Sequence, residues 1–234
     1  MKKKHIVSFS GGKDSTAMLL IMIEKGYKID EIIFVDTTKE FPDMYKHICQ
    51  VEKAIFPLTI TRLSFDYDYY LSDYVKTKGK NKGKRGYGFP DFRNRWCTAM
   101  KRDIIKRYLN GKYRGQEIVN YIGIAYDERN RIKKNNDGRN VVLPLVGWQM
   151  TENNCMDYCI TMGYWWNGLY EKFNRVSCWC CPMSRIGELK VLHDEYPELW
   201  TELRVMGEKA YNTFRPGGIT VEKLNGRFER GVMS

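Results

Sequence analysis

Two groups of residues in this chain have the types and the spacing that chemistry requires. The first is SFSGGKDS at positions 8–15, which follows a short apolar run and precedes the apolar segment 16–23. These runs predict a strand and a helix, so the two glycines lie in a strand-to-helix turn. Glycines allow several backbone N–H groups to face one anion, and a helix N-terminus and a lysine add positive charge. The stretch predicts a phosphate-binding loop formed by Ser8, Ser10, Gly11, Gly12, Lys13, Asp14 and Ser15.

The second group is a set of cysteines. Cys178 and Cys181 have the CxxC spacing that lets two thiolates reach one metal from a tight turn, and a proline follows them, as near many iron–sulfur sites. Cys97 is a third candidate ligand, and either Cys180 or Cys159 could be the fourth. Seven cysteines in a reducing compartment indicate metal or redox chemistry instead of a disulfide framework. Both an iron–sulfur cluster and a structural zinc are compatible with this spacing.

Positive charge accompanies both groups. The net charge is +11, and residues 1–150 carry all of the excess, with 29 basic against 17 acidic residues. Such a balance suits a polyanion, although a nucleotide site also calls for positive charge. Arg95 and Lys101 lie close to Cys97 in the sequence, where cations favour a thiolate over a thiol.

The segment from Lys76 to Arg85 has six basic residues and no acidic one. Because it is also rich in glycine, we expect a mobile loop that does not pack. Such a loop could close over the phosphates of a nucleotide or of a nucleic-acid backbone, and a solvated surface loop is the alternative.

The predicted elements place further candidates at the ends of strands. Buried strands are predicted at 31–36 and 118–125, and an alternating strand at 58–63. Asp36 ends the first of these, at the edge where open α/β sheets bind ligands, although it could instead cap the next helix. Gly123 lies near the end of another, where a backbone can approach a ligand closely. We assign both Asp36 and Gly123 to the nucleotide site.

The composition changes near residue 150. Beyond it β-branched runs become rare, and helical patterns appear at 152–162, 184–195 and 198–214. We therefore predict a nucleotide-binding domain over 1–150 and a helical appendage with the CxxC metal site over 151–234. Since no run approaches the ~18 apolar residues of a membrane helix and no signal peptide is recognisable, we expect a cytoplasmic protein without membrane partners.

Several motifs carry a family resemblance. SFSGGKDS lacks the GxxxxGK spacing of a Walker loop and resembles the PP-loop of the ATP pyrophosphatase superfamily. FVDTTKEFP at 34–42 is similar to the DTG…EFPET segment of the phosphoadenosine phosphosulfate (PAPS) reductase family. RWCT at 95–98 resembles the place where iron–sulfur adenylyl-sulfate (APS) reductases have adjacent cysteines, with Trp96 in the first of those places. The residues from Asp127 to Arg131 resemble the family's GIR-x-DE…R segment, with Ala125 in place of its first arginine.

The resemblance implies an α/β fold, a parallel sheet wound by helices, and a set of residue roles. ATP with Mg²⁺ would bind at the loop, where Lys13, Asp14 and Asp36 would act in catalysis and Thr37 would lie near the nucleotide. Substrate anions would meet Arg95, Lys101, Arg129 and Arg131. A [4Fe-4S] cluster, with zinc as the alternative, would be held by Cys97, Cys178 and Cys181.

The expected activity is that of an iron–sulfur sulfurtransferase. By resemblance to DNA phosphorothioation and tRNA thiolation enzymes, ATP would activate an atom of DNA or tRNA, with a sulfur-donor protein as a further partner, and the protein would be a homo-oligomer. A sulfonucleotide reductase is an alternative, although its catalytic cysteine in a Glu-Cys-Gly tail is absent from 224–230. The other alternative is a non-catalytic nucleotide-binding module with a structural zinc.

Overall fold

A five-stranded sheet forms the centre of the nucleotide-binding half. The computed structural model describes residues 3–135 and 140–231. The sheet has the order β3-β2-β1-β4-β5, and every neighbouring pair is parallel. Its strands are β1 (Lys3–Ser8), β2 (Glu31–Asp36), β3 (Ile60–Ser64), β4 (Glu117–Ile122) and β5 (Val141–Val142). The predicted α/β fold, a parallel sheet wound by helices, is confirmed.

The described residues form ten α-helices beside these strands. They are α1 (Lys13–Glu24), α2 (Pro42–Ala54), α3 (Trp96–Lys112), α4 (Arg129–Asn135), α5 (Pro144–Gly147), α6 (Glu152–Thr161), α7 (Leu169–Lys172), α8 (Ile186–Glu195), α9 (Pro197–Lys209) and α10 (Val221–Glu229). Local sequence explains several of their starts. A proline opens α2, α5 and α9, where its missing N–H costs nothing. Thr151 caps α6 in a capping box with Asn154.

The described chain divides into two compact units. The first, which we call the sheet unit, comprises residues 1–36, 41–64 and 102–170. Its central strands are buried on both faces, as parallel strands must be, with Ile6 and Val7 of β1 fully inaccessible. Helix α1 packs against α6 in this unit, so a helix from beyond residue 150 belongs with the sheet.

The second unit, which we call the cysteine unit, comprises residues 37–40, 65–101 and 171–234. Helices α8, α9 and α10 pack together around Trp200, whose Nε1 donates to Asn225 Oδ1 at 2.7 Å. A cluster of aromatic rings between residues 65 and 96 provides a second core, centred on the buried Trp96. These compact units do not coincide with the two domains predicted to meet near residue 150. That domain boundary stays a prediction.

One segment has more structure than its sequence suggested. Residues 75–85, expected to be a loop that does not pack, form a hairpin closed by an antiparallel bridge between Val75 and Arg85. Lys76 N donates to Lys84 O at 3.0 Å, and Gly83 N donates to Lys76 O at 2.8 Å. Backbone hydrogen bonds within the hairpin replace the apolar packing that the sequence lacks. We call residues 75–85 the basic hairpin.

Among the described residues, no helix combines the length and the apolar composition that crossing a membrane requires.

Candidate functional site

The predicted phosphate-binding loop, which we call the phosphate loop, forms the turn between β1 and α1. Gly11 has a φ of +78°, a left-handed conformation that glycine adopts without strain. A Cβ atom on Gly11 would lie 2.6 Å from Met44 Sδ, and one on Gly12 would lie 3.2 Å from the Tyr170 hydroxyl oxygen. Both the conformation and the space therefore require glycine at position 11.

Two serines fix the shape of this loop. The Ser10 and Ser15 hydroxyl oxygens lie 2.9 Å apart, and Ser15 Oγ donates to Gly12 O at 3.0 Å. Trp166 Nε1 donates to Gly11 O at 2.8 Å and holds the turn from its other side. Ser8, also assigned to the nucleotide, instead donates its hydroxyl to Asn120 Oδ1 at 2.9 Å, in the sheet.

A buried histidine supports the loop, and no motif in the sequence indicated this role. His47 Nε2 lies 3.0 Å from Thr16 Oγ1, which in turn lies 3.4 Å from Gly11 O. The ring packs against Trp166 at a centroid distance of 4.3 Å. Burial lowers the pKa of His47 to about 4, so the ring is neutral at physiological pH. His47 is thus a structural support for the phosphate loop.

Charged residues gather at the start of α1. Lys13 Nζ lies 3.0 Å from Asp14 Oδ1 and 3.6 Å from Glu152 Oε1. Asp14, Glu128 and Glu152 each offer a carboxylate oxygen, and these three atoms all lie within 4.8 Å of one another. Burial raises the pKa of Asp14, and the neighbouring Lys13 opposes that shift. An oxygen-rich group of this kind suits Mg²⁺ chemically.

The other predicted nucleotide residues of the sheet unit have partners within the protein. The Tyr45 hydroxyl donates to Asp36 Oδ1 at 2.8 Å. At Gly123 a Cβ would lie 2.9 Å from Ser15 Cα, so this glycine lets the chain after β4 pack against the first turn of α1. The close approach that the sequence predicted at Gly123 is thus made to the helix that follows the phosphate loop.

The two arginines predicted to contact substrate lie at the start of α4. Both Arg129 and Arg131 are exposed. Arg131 donates to Glu128 Oε2 at 2.6 Å, so its charge is shared with one of the three clustered carboxylates.

In the cysteine unit, the three predicted metal ligands line one cavity of about 450 Å³. Cys97 comes from the first turn of α3, while Cys178 and Cys181 come from the turn before α8. In that turn Cys181 N donates to Cys178 O at 3.2 Å, and Trp179 N donates to Lys39 O at 3.0 Å. Segments about 80 positions apart in sequence therefore contribute cysteines to one cavity.

Polar groups surround the Cys178 sulfur. Thr37 Oγ1 lies 3.1 Å from Cys178 Sγ and donates to Glu40 Oε1 at 3.2 Å. Lys101 Nζ lies 3.3 Å from the same Glu40 oxygen. Burial lowers the pKa of Lys101, but the Glu40 carboxylate together with Cys178 and Cys97 outweighs this effect, and the net shift is upward. Thr37, expected near the nucleotide, thus lies against a candidate metal ligand.

The expectation of a thiolate at Cys97 is wrong for this structure. Burial raises the pKa of Cys97, and the opposing effects of the Thr98 N–H and of Lys101 are smaller. Burial likewise raises the pKa of Cys178 and of Cys181. All three are therefore thiols at neutral pH, and a metal that binds them has to displace their protons.

The lining of this cavity, which we call the cysteine cavity, is cationic. It includes the predicted substrate residues Arg95 and Lys101, together with Arg175 and Arg185, which the sequence reasoning missed. The signal for Arg175 was its position three residues before Cys178. Four cations against the single lining carboxylate of Glu188 suit an anionic ligand.

The model of the phosphoadenosine phosphosulfate reductase domain matches residues 4–184, well over half of the chain. The chain belongs to this family. The matched segment of this PAPS reductase domain contains the phosphate loop and all three cavity cysteines.

Other comparisons cover nearly the whole chain. An uncharacterised protein of Methanocaldococcus jannaschii is 28% identical over 225 residues, which cover 89% of this chain. The chain spans only 43% of the length of that curated relative. The solved U34-tRNA thiolase NcsA from Methanococcus maripaludis, with its [4Fe-4S] cluster, aligns at 15% identity and a TM-score of 0.42 over 98% of this chain and 71% of that chain. A predicted tRNA methyltransferase subunit from Methanocaldococcus jannaschii aligns at 16% identity and a TM-score of 0.35, over 84% of this chain and 89% of that chain.

The two candidates for a fourth ligand in this PAPS reductase domain, Cys180 and Cys159, lie outside the cavity lining. Cys180 lies in the same turn as the ligands, but it is fully buried and does not line the cavity. Cys159 belongs to the sheet unit, where its Sγ lies 3.5 Å from Lys13 O. Trp96, which stands where the family resemblance places another cysteine, is buried and donates to Gly88 O at 2.9 Å. Within the described residues, three cysteines therefore line the cavity.

Proposed function

We propose that this protein is an ATP pyrophosphatase that activates an acceptor for sulfur transfer. One observation carries the proposal, namely that Cys97, Cys178 and Cys181 line a single cationic cavity in a chain that also has a PP-loop. A phosphate loop alone would fit any nucleotide-binding module. Three sulfur ligands beside anion-binding side chains add the means to handle sulfur and an anionic substrate.

The proposed reaction has two balanced steps. First, an oxygen of the acceptor attacks the α-phosphorus of ATP, and pyrophosphate leaves with the electrons of the broken P–O bond. Next, sulfur at the oxidation level of sulfide attacks the activated atom, and AMP leaves with the former acceptor oxygen. One sulfur replaces one oxygen, so the exchange requires a sulfide source and no external oxidant or reductant.

Different residues of the sheet unit would have different roles in the first step. The N–H groups of the glycine turn and the Lys13 ammonium would stabilise the charge that develops on the departing pyrophosphate. Asp14, with Glu128 and Glu152 beside it, would hold Mg²⁺ through carboxylate oxygens. Asp36, whose carboxylate accepts from Tyr45, is the second candidate for this role.

The cysteine unit would serve the second step. Cys97, Cys178 and Cys181 fit a cubane cluster in number and chemistry, because they are three cysteines that line one cavity. When bound, a [4Fe-4S] cluster with three protein ligands supplies one iron that can carry sulfide. Arg95, Lys101, Arg175 and Arg185 would hold the phosphates of the acceptor, for which we propose nucleic acid, and a donor protein would deliver the sulfide.

A second candidate function is reduction of a sulfonucleotide. Membership of the PAPS reductase domain family favours it, and the cationic cavity would also accept a sulfate-bearing nucleotide. Under this alternative the protein releases sulfite from PAPS or APS at the expense of a dithiol reductant. The two candidates therefore differ in their products.

The products of ATP turnover test the proposal. We would incubate the protein with ATP and Mg²⁺, adding total tRNA, single-stranded DNA or duplex DNA, and we expect AMP and pyrophosphate. Lys13→Ala should lower the rate by about 100-fold or more, because a positioned charge is lost from the transition state. Lys46→Ala is the matched control, since Lys46 is an exposed lysine paired with Asp43 at 2.9 Å. Release of ADP and phosphate, or sulfite release from PAPS or APS without pyrophosphate from ATP, would contradict the proposal.

A further inference from the structure

A second cavity in the cysteine unit is not used by the chemistry proposed above. Its volume is about 450 Å³, within the range of ~300–1,000 Å³ that is usual for ligand sites. The basic hairpin forms much of its wall, and Tyr211 closes another side. We call it the basic cavity, and the side chains that matter here are Tyr74, Lys76, Lys78, Lys80, Tyr87 and Tyr211.

The aromatic wall of the basic cavity is held in place. Tyr87 stacks between Tyr74 and Trp96, with centroid distances of 5.2 and 5.5 Å and interplanar angles of 23° and 25°. Trp96 is itself buried and hydrogen-bonded, so this stack is anchored in the core of the unit. The tyrosine faces are therefore fixed before any ligand arrives.

Tyr211 presents an accessible ring at the edge of the cavity. The side chain is 65% exposed, although its hydroxyl donates to Tyr87 O at 3.0 Å. The next residue, Asn212, accepts from Phe89 N at 2.7 Å and holds the chain at this point. An exposed aromatic ring whose position is fixed is a suitable platform for stacking a base.

The lysines supply charge on the same cavity. Lys76 Nζ lies 4.9 Å from the centroid of the Tyr211 ring and 5.5 Å from that of Tyr87. Lys78 and Lys80 are exposed, and across residues 3–135 and 140–231 neither has a carboxylate within ion-pair distance. Their charges are available for phosphate groups, and the hydrogen-bonded hairpin fixes the backbone that carries them.

This combination selects one class of ligand. An acidic peptide would satisfy the lysines but leave the aromatic faces without a partner. Duplex nucleic acid stacks its own bases and hides their faces. A single strand offers both phosphates and accessible base faces. Consecutive residues line the two cavities, since Asn94 lines the basic cavity and Arg95 lines the cysteine cavity.

We propose that the basic cavity binds single-stranded nucleic acid, with a base stacked on Tyr211 and phosphates held by Lys78 and Lys80. This inference rests on the proposed function in one respect, namely that the bound strand is the acceptor of sulfur. A strand bound here would extend along residues 94 and 95 toward Cys97. Nucleotides flanking the reacting one would thus dock in the basic cavity.

Binding can be measured without turnover. We would titrate the purified protein into fluorescein-labelled dT12 and U12 without ATP, and follow anisotropy at several salt concentrations. The double variant Lys78→Ala/Lys80→Ala should weaken binding and reduce the slope of log K against log salt by about 1.4, at ~0.7 for each phosphate contact of a single strand. Lys209→Ala/Arg230→Ala removes the same charge from exposed positions outside the cavity and should leave the slope near that of the wild type.

The tyrosine distinguishes base stacking from simple attraction of a polyanion. Tyr211→Ala should weaken dT12 binding about tenfold or more, whereas Tyr211→Phe, which keeps the ring, should bind nearly as well as the wild type. An abasic 12-mer has the same phosphates without bases, so it should bind the wild type more weakly than dT12 and should not respond to Tyr211→Ala. Urea midpoints equal to that of the wild type would show that the variants are folded.

Three results would overturn the inference. They are equal binding of dT12 and the abasic oligomer, tighter binding of a 12-base-pair duplex than of dT12, and an unchanged salt slope in the lysine variant. The assay also separates this inference from the proposed function. Protein that binds dT12 as expected but releases no pyrophosphate from ATP would refute the proposed function alone, and the converse result would refute this inference alone.

Discussion

At the scale of single residues, the phosphate loop depends on a histidine that supports it from behind, through contacts with Thr16 and Trp166. His47 is almost completely buried, yet it connects α2 to the loop through Thr16 and Trp166. Its neutral ring is compatible with that environment, whereas an imidazolium would have to be solvated or paired. The stability of the loop should therefore respond to acid through this residue.

The pH dependence of stability tests this role. Burial lowers the pKa of His47 to about 4, from an ordinary value of 6.5. Between these values the unfolded chain binds more protons than the folded chain, so the free energy of unfolding falls as the pH falls from 6.5 toward 4. The loss at this residue is at most about 3 kcal/mol. Urea unfolding between pH 7 and pH 4.5 should show a shallower pH dependence in His47→Gln than in the wild type.

The same slope in both proteins would show that His47 does not titrate as described. The glutamine variant is chosen because its amide can still reach Thr16 Oγ1. Its stability at pH 7, where the wild-type ring is neutral, gives the baseline for the comparison.

The sequence predicted where the loop lies between its strand and its helix, but not the residues that support it. Ser10, Gly11 and Lys13 could be placed because a short motif with its own strand and helix determines them locally. His47 and Trp166 lie 36 and 155 positions beyond Gly11, so only the tertiary fold brings them together. The upward pKa shift of Cys97 escaped prediction for the same reason, since neighbouring cations are visible in the sequence and burial is not.

At the scale of elements, a buried lysine connects four segments of the cysteine unit. The Lys39 ammonium lies 2.7 Å from Asp68 Oδ2 and also pairs with Glu202 on α9. Lys39 O accepts from Trp179 N in the cysteine turn, and the ammonium lies over the Trp179 ring. With only 4% of its side chain exposed, Lys39 is positioned to hold the turn with Cys178 and Cys181 against the rest of the unit.

Replacing Lys39 should lower the free energy of unfolding more than replacing an exposed lysine does. Lys39→Met leaves two carboxylates without their cation, and we expect a loss of about 1–3 kcal/mol in the free energy of unfolding, reduced from the fully buried case because both carboxylates are half-exposed. Lys172→Met breaks an exposed pair with Glu195 and should cost no more than ~0.5 kcal/mol. Urea unfolding of both variants measures the difference. Equal losses would refute the connecting role of Lys39.

Elements with strong local patterns were predictable, and those set by packing were not. The strand predicted at 31–36 is confirmed as Glu31–Asp36, because a continuous buried run leaves little choice. The aromatic segment that begins at Phe65 contains only a π-helical turn, Tyr69–Asp73, since its rings pack into the cluster around Trp96. Helix α10 was not predicted.

At the scale of the whole molecule, compact units do not follow the order of the chain. The sheet unit takes α6 from beyond residue 150, and the cysteine unit takes 65–101 from before it. Composition along a sequence cannot reveal such an exchange, because each segment looks the same whichever neighbours it packs against. The family match and the fold agree with the sequence motifs, which are short and local.

Under the proposed function, the cysteine cavity holds an iron–sulfur cluster that is used with ATP. The most direct measurement is the iron, zinc and acid-labile sulfide content of protein purified without oxygen, together with its visible absorption. Cys97→Ser, Cys178→Ser and Cys181→Ser would be compared with Cys49→Ser, an exposed cysteine of the sheet unit.

We expect a brown protein with about four irons and four sulfides per chain, lost in each cavity variant and retained in Cys49→Ser. A colourless protein with one tightly bound zinc, released by the same three substitutions, would contradict it. The cysteines would then hold a structural metal, and the protein would be a PP-loop nucleotide-binding protein without sulfur chemistry.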